Sequence, residues 1–228
     1  MITKATLGFL KDLAAHNQRA WFHGHRDRYE AARAEVVESV DAVLAGLAHV
    51  EPGFLEIDPE DCLFRIHRDT RFAKGKEPYK TNFGAFMSDR GRKVARAGYY
   101  VHVEPGGCLV AAGLYMPPGP ELKAVRAALL EDAAGLRRIL ARPAFRKVFG
   151  KELPGAVLKT VPRGVPKDHP DADLLRHTSF AVWRTVPDRG ALAPGFAKAA
   201  VRDFRVARAF VRWINRALDR APASERAV

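Results

Sequence analysis

Apolar residues recur at helical spacing through the first quarter of the chain. Phe9, Leu10 and Leu13 fall on one side of a first segment, and Tyr29, Val36, Val37, Val40, Val43, Leu44 and Leu47 follow between Arg26 and Leu47. That periodicity predicts amphipathic helices. The polar run from His16 to Arg19 predicts a connection in which Asn17 caps a helix, with Trp21 and Phe22 as core anchors.

The period then changes from helical to alternating. Cys62 to Arg68 reads as a strand, with Cys62, Phe64 and Ile66 on one face and Leu63, Arg65 and His67 on the other. Asn82 to Ser88 reads as a second strand. Tyr99 to Glu104 alternates with Tyr99, Val101 and Val103 on one side and Tyr100, His102 and Glu104 on the other. Pro105-Gly106-Gly107 is a turn signal, and Cys108 to Tyr115 returns, which predicts a β-hairpin.

Beyond Pro117-Pro118-Gly119, Pro120 opens a helix predicted to run to about Glu131, and short helices continue to Phe149. Lys159 to Pro170 reads as a surface loop. Ser179 to Val186 is a fifth strand. Pro194 to Leu218 is a long helix with Phe204, Ala207, Val211, Ile214 and Leu218 on its apolar stripe. The short connections between strands two, three and four exclude parallel crossovers. The expected fold is α+β, a mostly antiparallel sheet of about five strands packed with N- and C-terminal helices. A single domain over 1–220 and a disordered tail over 221–228 are expected, with no internal repeat or linker.

Composition adds a compartment and a class of partner. No apolar run reaches the ~20 residues that a bilayer requires, and the N-terminus lacks the apolar core of a secretory signal. The two cysteines, Cys62 and Cys108, have neither disulfide-framework nor zinc-ligand spacing. A cytoplasmic protein with reduced, buried thiols is expected, and no integral membrane segment or metal site is assigned.

The formal net charge is +12. Ten basic residues and three acids between Cys62 and Arg96 give +7, and Arg202 to Arg220 adds +4. Such charge attracts phosphates and other anions.

The densest chemistry lies in Phe64-Arg65-Ile66-His67-Arg68-Asp69-Thr70-Arg71-Phe72-Ala73-Lys74 and the following Pro78-Tyr79-Lys80-Thr81-Asn82-Phe83-Gly84. These blocks resemble the signature of domain-of-unknown-function family 2461, found in bacteria and fungi. The resemblance extends through Ala97 to Gly107, Asn17-x-Arg19-x-Trp21-Phe22, Asp168-His169-Pro170 and Ser179-Phe180, nearly the whole chain. It implies a shared fold and brings no activity, cofactor or catalytic residue with it.

The roles of these residues therefore rest on their chemistry. Arg65, Arg68, Arg71, Lys74 and Lys80 are candidate anion ligands, because guanidinium forks and ammonium groups match phosphate and carboxylate. Thr81 and Asn82 add neutral hydrogen bonds. His67, Asp69 and His102 are the candidate acid/base groups, and Glu104 shares the face of His102. An alternative is a salt-bridged network of Arg65, Arg68 and Asp69 that ties the loop to the sheet.

Asp168-His169-Pro170 reads as a turn. The Arg202, Arg205, Arg208, Arg212 and Arg216 stripe reads as the solvated face of the last helix. No P-loop, dinucleotide fingerprint, nucleophile elbow or zincin motif is present.

The expected function is binding of, or catalysis on, a small phosphate- or carboxylate-bearing molecule. One alternative is a nucleic-acid-binding protein that uses the basic loop and the arginine helix, with Tyr79, Tyr100 or Phe83 stacking on bases. The other is a non-enzymatic interaction protein whose charged motif is architectural. Cofactor and oligomeric state are left open.

Overall fold

The computed structural model describes residues 1–69 and 77–221. Arg71 and Lys74, two of the expected anion ligands, lie outside the described residues, as does most of the expected tail.

The chain opens with α1 (Lys4–Ala15), α2 (Arg19–Gly24) and α3 (Arg26–Ala48). A 3₁₀ turn at Pro52–Glu56 and the short α4 (Pro59–Cys62) lead to β1 (Phe83–Met87), β2 (Gly98–Val103) and β3 (Leu109–Leu114). Then come α5 (Gly119–Leu140), α6 (Pro143–Phe149), α7 (Ala172–Leu175), β4 (Phe180–Thr185), α8 (Asp188–Ala191) and α9 (Phe196–Arg220). The fold is α+β, with helices at both ends and one antiparallel sheet in the order β1-β2-β3-β4.

Among the described residues the sheet has four strands, not five. The expected strand over Cys62 to Arg68 is the one that fails to form. Asp58 caps the Glu60 amide at 2.8 Å and Pro59 starts a helical turn, so Cys62 ends α4. The chain beyond it makes only isolated antiparallel bridges, Leu63 to Ala85 and His67 to Tyr79, and bends at Ile66 between them. The bend also breaks the expected alternation. Leu63 and Ile66 are buried, whereas Phe64, Arg65 and His67 are exposed. Nor is Cys108 inside a strand, since it precedes β3.

The alternation in β2 holds: Tyr99, Val101 and Val103 are buried, while Tyr100 and His102 are half-exposed. The turn after it is a Pro–Gly turn. Gly107 N–H donates to the Glu104 carbonyl at 3.0 Å, and Gly106 takes φ +73°, a conformation open to glycine at little cost.

The residues cluster into two compact units. The first comprises 1–69, 77–92, 100–110 and 185–202 of the described residues. Its core is built on α1 and α3, with Leu10, Leu13, Val36, Val40 and Leu47 nearly inaccessible. An aromatic chain extends that core: Phe22 stacks on Tyr79 at 4.1 Å and meets Tyr29 at 5.1 Å, and Tyr29 stacks on Phe83 at 6.0 Å. Phe22 is buried as expected. Trp21 is half-exposed instead, stacked on His25 at 4.1 Å and on His16 at 5.6 Å.

The second unit comprises 93–99, 111–184 and 203–221 of the described residues. Its apolar interior includes Leu129, Leu136, Phe145, Phe180, Phe204, Phe210 and Ile214. The helix expected to stop near Glu131 does break there. Asp132 has non-helical φ/ψ, and its carboxylate caps the Gly135 amide at 3.2 Å, restarting α5. Along α9, Phe204, Ala207, Val211, Ile214 and Leu218 are all buried, while Arg205, Arg212 and Arg216 are exposed.

Candidate functional site

The local geometry begins with a mismatch of chain lengths. The two bridges join Leu63 to Ala85 and His67 to Tyr79, so a four-residue step on one side faces a six-residue step on the other. Phe64 N–H donates to the Gly84 carbonyl and Lys80 N–H to the Ile66 carbonyl, which places the two extra residues at Thr81 and Asn82. This is a bulge, and bulges re-aim side chains. Here they turn toward β2. Thr81 Oγ1 donates to Glu104 Oε1 at 3.0 Å, and Asn82 Nδ2 lies 3.4 Å from His102 Nδ1.

The polar face of β2 completes the group. His102 Nε2 lies 3.0 Å from Glu104 Oε2, and the Tyr100 hydroxyl lies 3.0 Å from His102 Nδ1. A carboxylate only accepts, so we assign the proton to Nε2 and leave Nδ1 as the acceptor for Tyr100 and Asn82. Glu104 thereby fixes the tautomer and orientation of His102. Burial and the Glu104 charge push the Tyr100 phenol up to about 12, so it remains a neutral donor at ordinary pH.

Gly84 makes room for this arrangement, because a Cβ there would overlap the Tyr100 hydroxyl. The bulge also positions Lys80. Its Nζ sits 5.4 Å from the centre of the Phe64 ring, and the Arg92 guanidinium sits 5.0 Å from the same ring. Phe64 is 37% exposed and makes an edge contact with Tyr100 at 6.2 Å. Arg92 Nε also donates to the Asp61 carbonyl at 3.0 Å, at the end of α4. Burial first, and then the charges of Arg65, Arg92 and Arg68, pull the Lys80 ammonium below its ordinary range.

The sequence-predicted residues divide into three groups. Thr81 and Asn82 reach Glu104 and His102, Lys80 lies over Phe64, and Arg65 and Arg68 act on Lys80 through charge. His67 belongs to another cluster, its ring 5.1 Å from Tyr79 and 6.0 Å from Phe22. Asp69 is exposed. Arg68 pairs with Glu77 at 3.4 Å, with both side chains more than a third exposed, so this pair contributes little. Arg65 and Arg68 are exposed as well.

Phe64 and Arg92 were not expected at this site, and Tyr100 was expected only as a stacking residue. Tyr100 and Glu104 share the i, i+2, i+4 face of His102, which was readable in the alternation. Arg92 carried no signal, because its place depends on the path from β1 back to α4.

Asn17 does not cap α2. Gln18 occupies that position, and the Asn17 side chain binds the Tyr79 backbone instead. Asp168-His169-Pro170 is a turn, in which His169 Nδ1 accepts from the Asp171 amide at 3.1 Å. Among the described residues no helix is long and apolar enough to cross a membrane. No group of three or more His, Cys, Asp or Glu is gathered for a metal among them either.

The chain belongs to the family described as conserved hypothetical protein (DUF2461), which matches residues 5–213. No curated protein and no solved structure matches it.

Proposed function

We propose that the first unit binds a small oxyanion, a phosphate or carboxylate group of a larger ligand, on the surface around Phe64. Lys80, Arg65 and Arg92 are its ligands, and Arg68 adds charge at longer range. The observation that carries this reading is the setting of Lys80. It lies over an exposed aromatic ring that it shares with the Arg92 guanidinium, and burial together with the charges of Arg65, Arg92 and Arg68 disfavours its charged form. Gathering like charges beside partly buried carbon is unfavourable in the free protein. An arriving anion relieves that repulsion, and a guanidinium beside an ammonium offers both fork and point-charge contacts.

Titration calorimetry at low ionic strength, with inorganic phosphate and with acetate, tests the reading. Saturable binding to the wild type is expected, weakened about tenfold or more in Lys80→Ala, as suits a charge-assisted hydrogen bond of ~1.5–3 kcal/mol. Absence of binding, or unchanged affinity in Lys80→Ala, would overturn it. A single-stranded oligonucleotide that binds with steep salt dependence while both small anions fail would favour the nucleic-acid alternative.

A further inference from the structure

The two ends of this face have opposite hydrogen-bonding character. At one end Lys80, Arg65 and Arg92 are donors only. At the other end stands Glu104, an acceptor only. Its carboxylate receives one hydrogen bond from Thr81 and one from His102, against about four lone-pair positions. The side chain is 38% exposed, so it is open to a ligand. Tyr100 spends its proton on His102 Nδ1, which leaves the phenol oxygen as a further acceptor.

Phe64 touches both ends, 5.4 Å from Lys80 and 6.2 Å from the Tyr100 ring. Lys80, Thr81 and Asn82 are consecutive, so one bulge sets both ends at once.

We infer that the ligand is a hydroxylated anion, a phosphorylated or carboxylated polyol, with its oxyanion on Lys80, Arg65 and Arg92 and a hydroxyl donating to Glu104. The inference rests on the anion-binding reading and names its ligand class. A plain polyanion would bring negative charge toward Glu104, where the two repel. An ammonium would suit Glu104 alone, but Lys80 and Arg92 over the neighbouring Phe64 ring oppose it. A neutral hydroxyl satisfies Glu104 without either conflict. His102, held by Glu104 and capped by Tyr100 and Asn82, positions the carboxylate.

The test is titration calorimetry on the full chain with two matched pairs at fixed ionic strength, inorganic phosphate against glycerol 3-phosphate and acetate against glycerate. Serine is a further arm. The hydroxylated member of at least one pair is expected to bind about tenfold tighter than its parent, since a site built around a hydroxyl discriminates strongly against the analogue that lacks it. That pair identifies the oxyanion. Glu104→Ala should abolish the advantage, so that both members of the pair bind alike, and Lys80→Ala should weaken every member.

Equal binding within both pairs, with Lys80→Ala still weakening it, overturns the polyol inference and leaves the anion site standing. An advantage that survives Glu104→Ala, or serine binding more tightly than glycerate, also overturns it. If no anion binds the wild type, both readings fall. The wild-type pairs decide the matter even if a variant folds poorly.

Discussion

Asn17 holds Tyr79 through both hydrogen-bonding groups of that residue's backbone: its Nδ2 donates to the Tyr79 carbonyl at 3.0 Å, and its Oδ1 accepts from the Tyr79 N–H at 3.0 Å. The side-chain amide thus imitates a neighbouring strand at the point where Tyr79 pairs with His67. Tyr79 is 1% exposed, so its backbone groups depend on such partners.

Replacing Asn17 by leucine removes both partners. Each buried group left unpaired costs ~1–3 kcal/mol, so Asn17→Leu should lose about 2–6 kcal/mol of stability. Urea denaturation would show a lower midpoint with an unchanged slope. A loss below about 0.5 kcal/mol, the scale of an ordinary surface change, would contradict the clamp.

The contact between Gly84 and Tyr100 makes a second prediction. A methyl group at Gly84 meets the phenol oxygen, with ring carbons 3.1 Å away. Gly84→Ala should cost about 1–3 kcal/mol, the range for overpacking. In a Tyr100→Phe background the hydroxyl is absent, and the same change should cost at least about 1 kcal/mol less, a coupling typical of residues in contact. Equal costs in the two backgrounds would mean that the tyrosine does not need the glycine. Chemical denaturation of all four proteins supplies the cycle.

These two contacts show where the sequence was informative. The β2–β3 hairpin and the stripe of α9 were legible because each is written in local periodicity, with Pro105 and Gly106 fixing the turn. The face that carries Tyr100, His102 and Glu104 was legible for the same reason. The Thr81–Asn82 bulge was not, because a register shift is a property of two segments and neither carries it alone. Cys62 to His67 alternates like a strand, but Asp58 and Pro59 start a helix at one end and the bend at Ile66 interrupts the ladder. Asn17 looked like a cap because asparagine usually caps locally. Its actual partner is 62 residues away. The charge count also concealed Arg96. It added to the basic total, yet it is 8% exposed and pairs with Asp219.

That pair gives a third prediction, in the second unit. Arg96 Nη1 and Nη2 donate to the two Asp219 oxygens at 2.8 and 3.2 Å. Removing one partner of a buried pair leaves an uncompensated charge and costs ~3–5 kcal/mol. Asp219 is 39% exposed, which lets water soften the loss, so Asp219→Ala should cost about 2–3 kcal/mol. Arg96→Met combined with Asp219→Leu should recover most of that, because no charge is then stranded. Thermal melts of the single and double variants would decide. A double variant less stable than Asp219→Ala would show that the guanidinium contributes more than charge balance.

The last prediction concerns alkaline pH. Burial is the largest cause of the rise in the Cys62 thiol from 9.0 to about 11, and of the rise in the Tyr100 phenol from 10.0 to about 12. Cys108 is pushed up as well, again chiefly by burial. Each is an acid whose folded pKa exceeds its unfolded value, so the folded state holds the proton longer. Between the two values the folded state binds more protons than the unfolded one, and stability falls as pH rises. The contribution of Cys62 is complete below 9.0 and is lost as pH climbs through about 11. That of Tyr100 is complete below 10.0 and is lost through about 12. Urea midpoints should therefore decline steadily above pH 9.0, and Cys62→Ala should flatten the first part of the decline. Tyr100→Phe should flatten the later part, while removing the donor that His102 Nδ1 accepts. If both variants follow the wild-type profile, neither group is held protonated by the fold beyond its ordinary range.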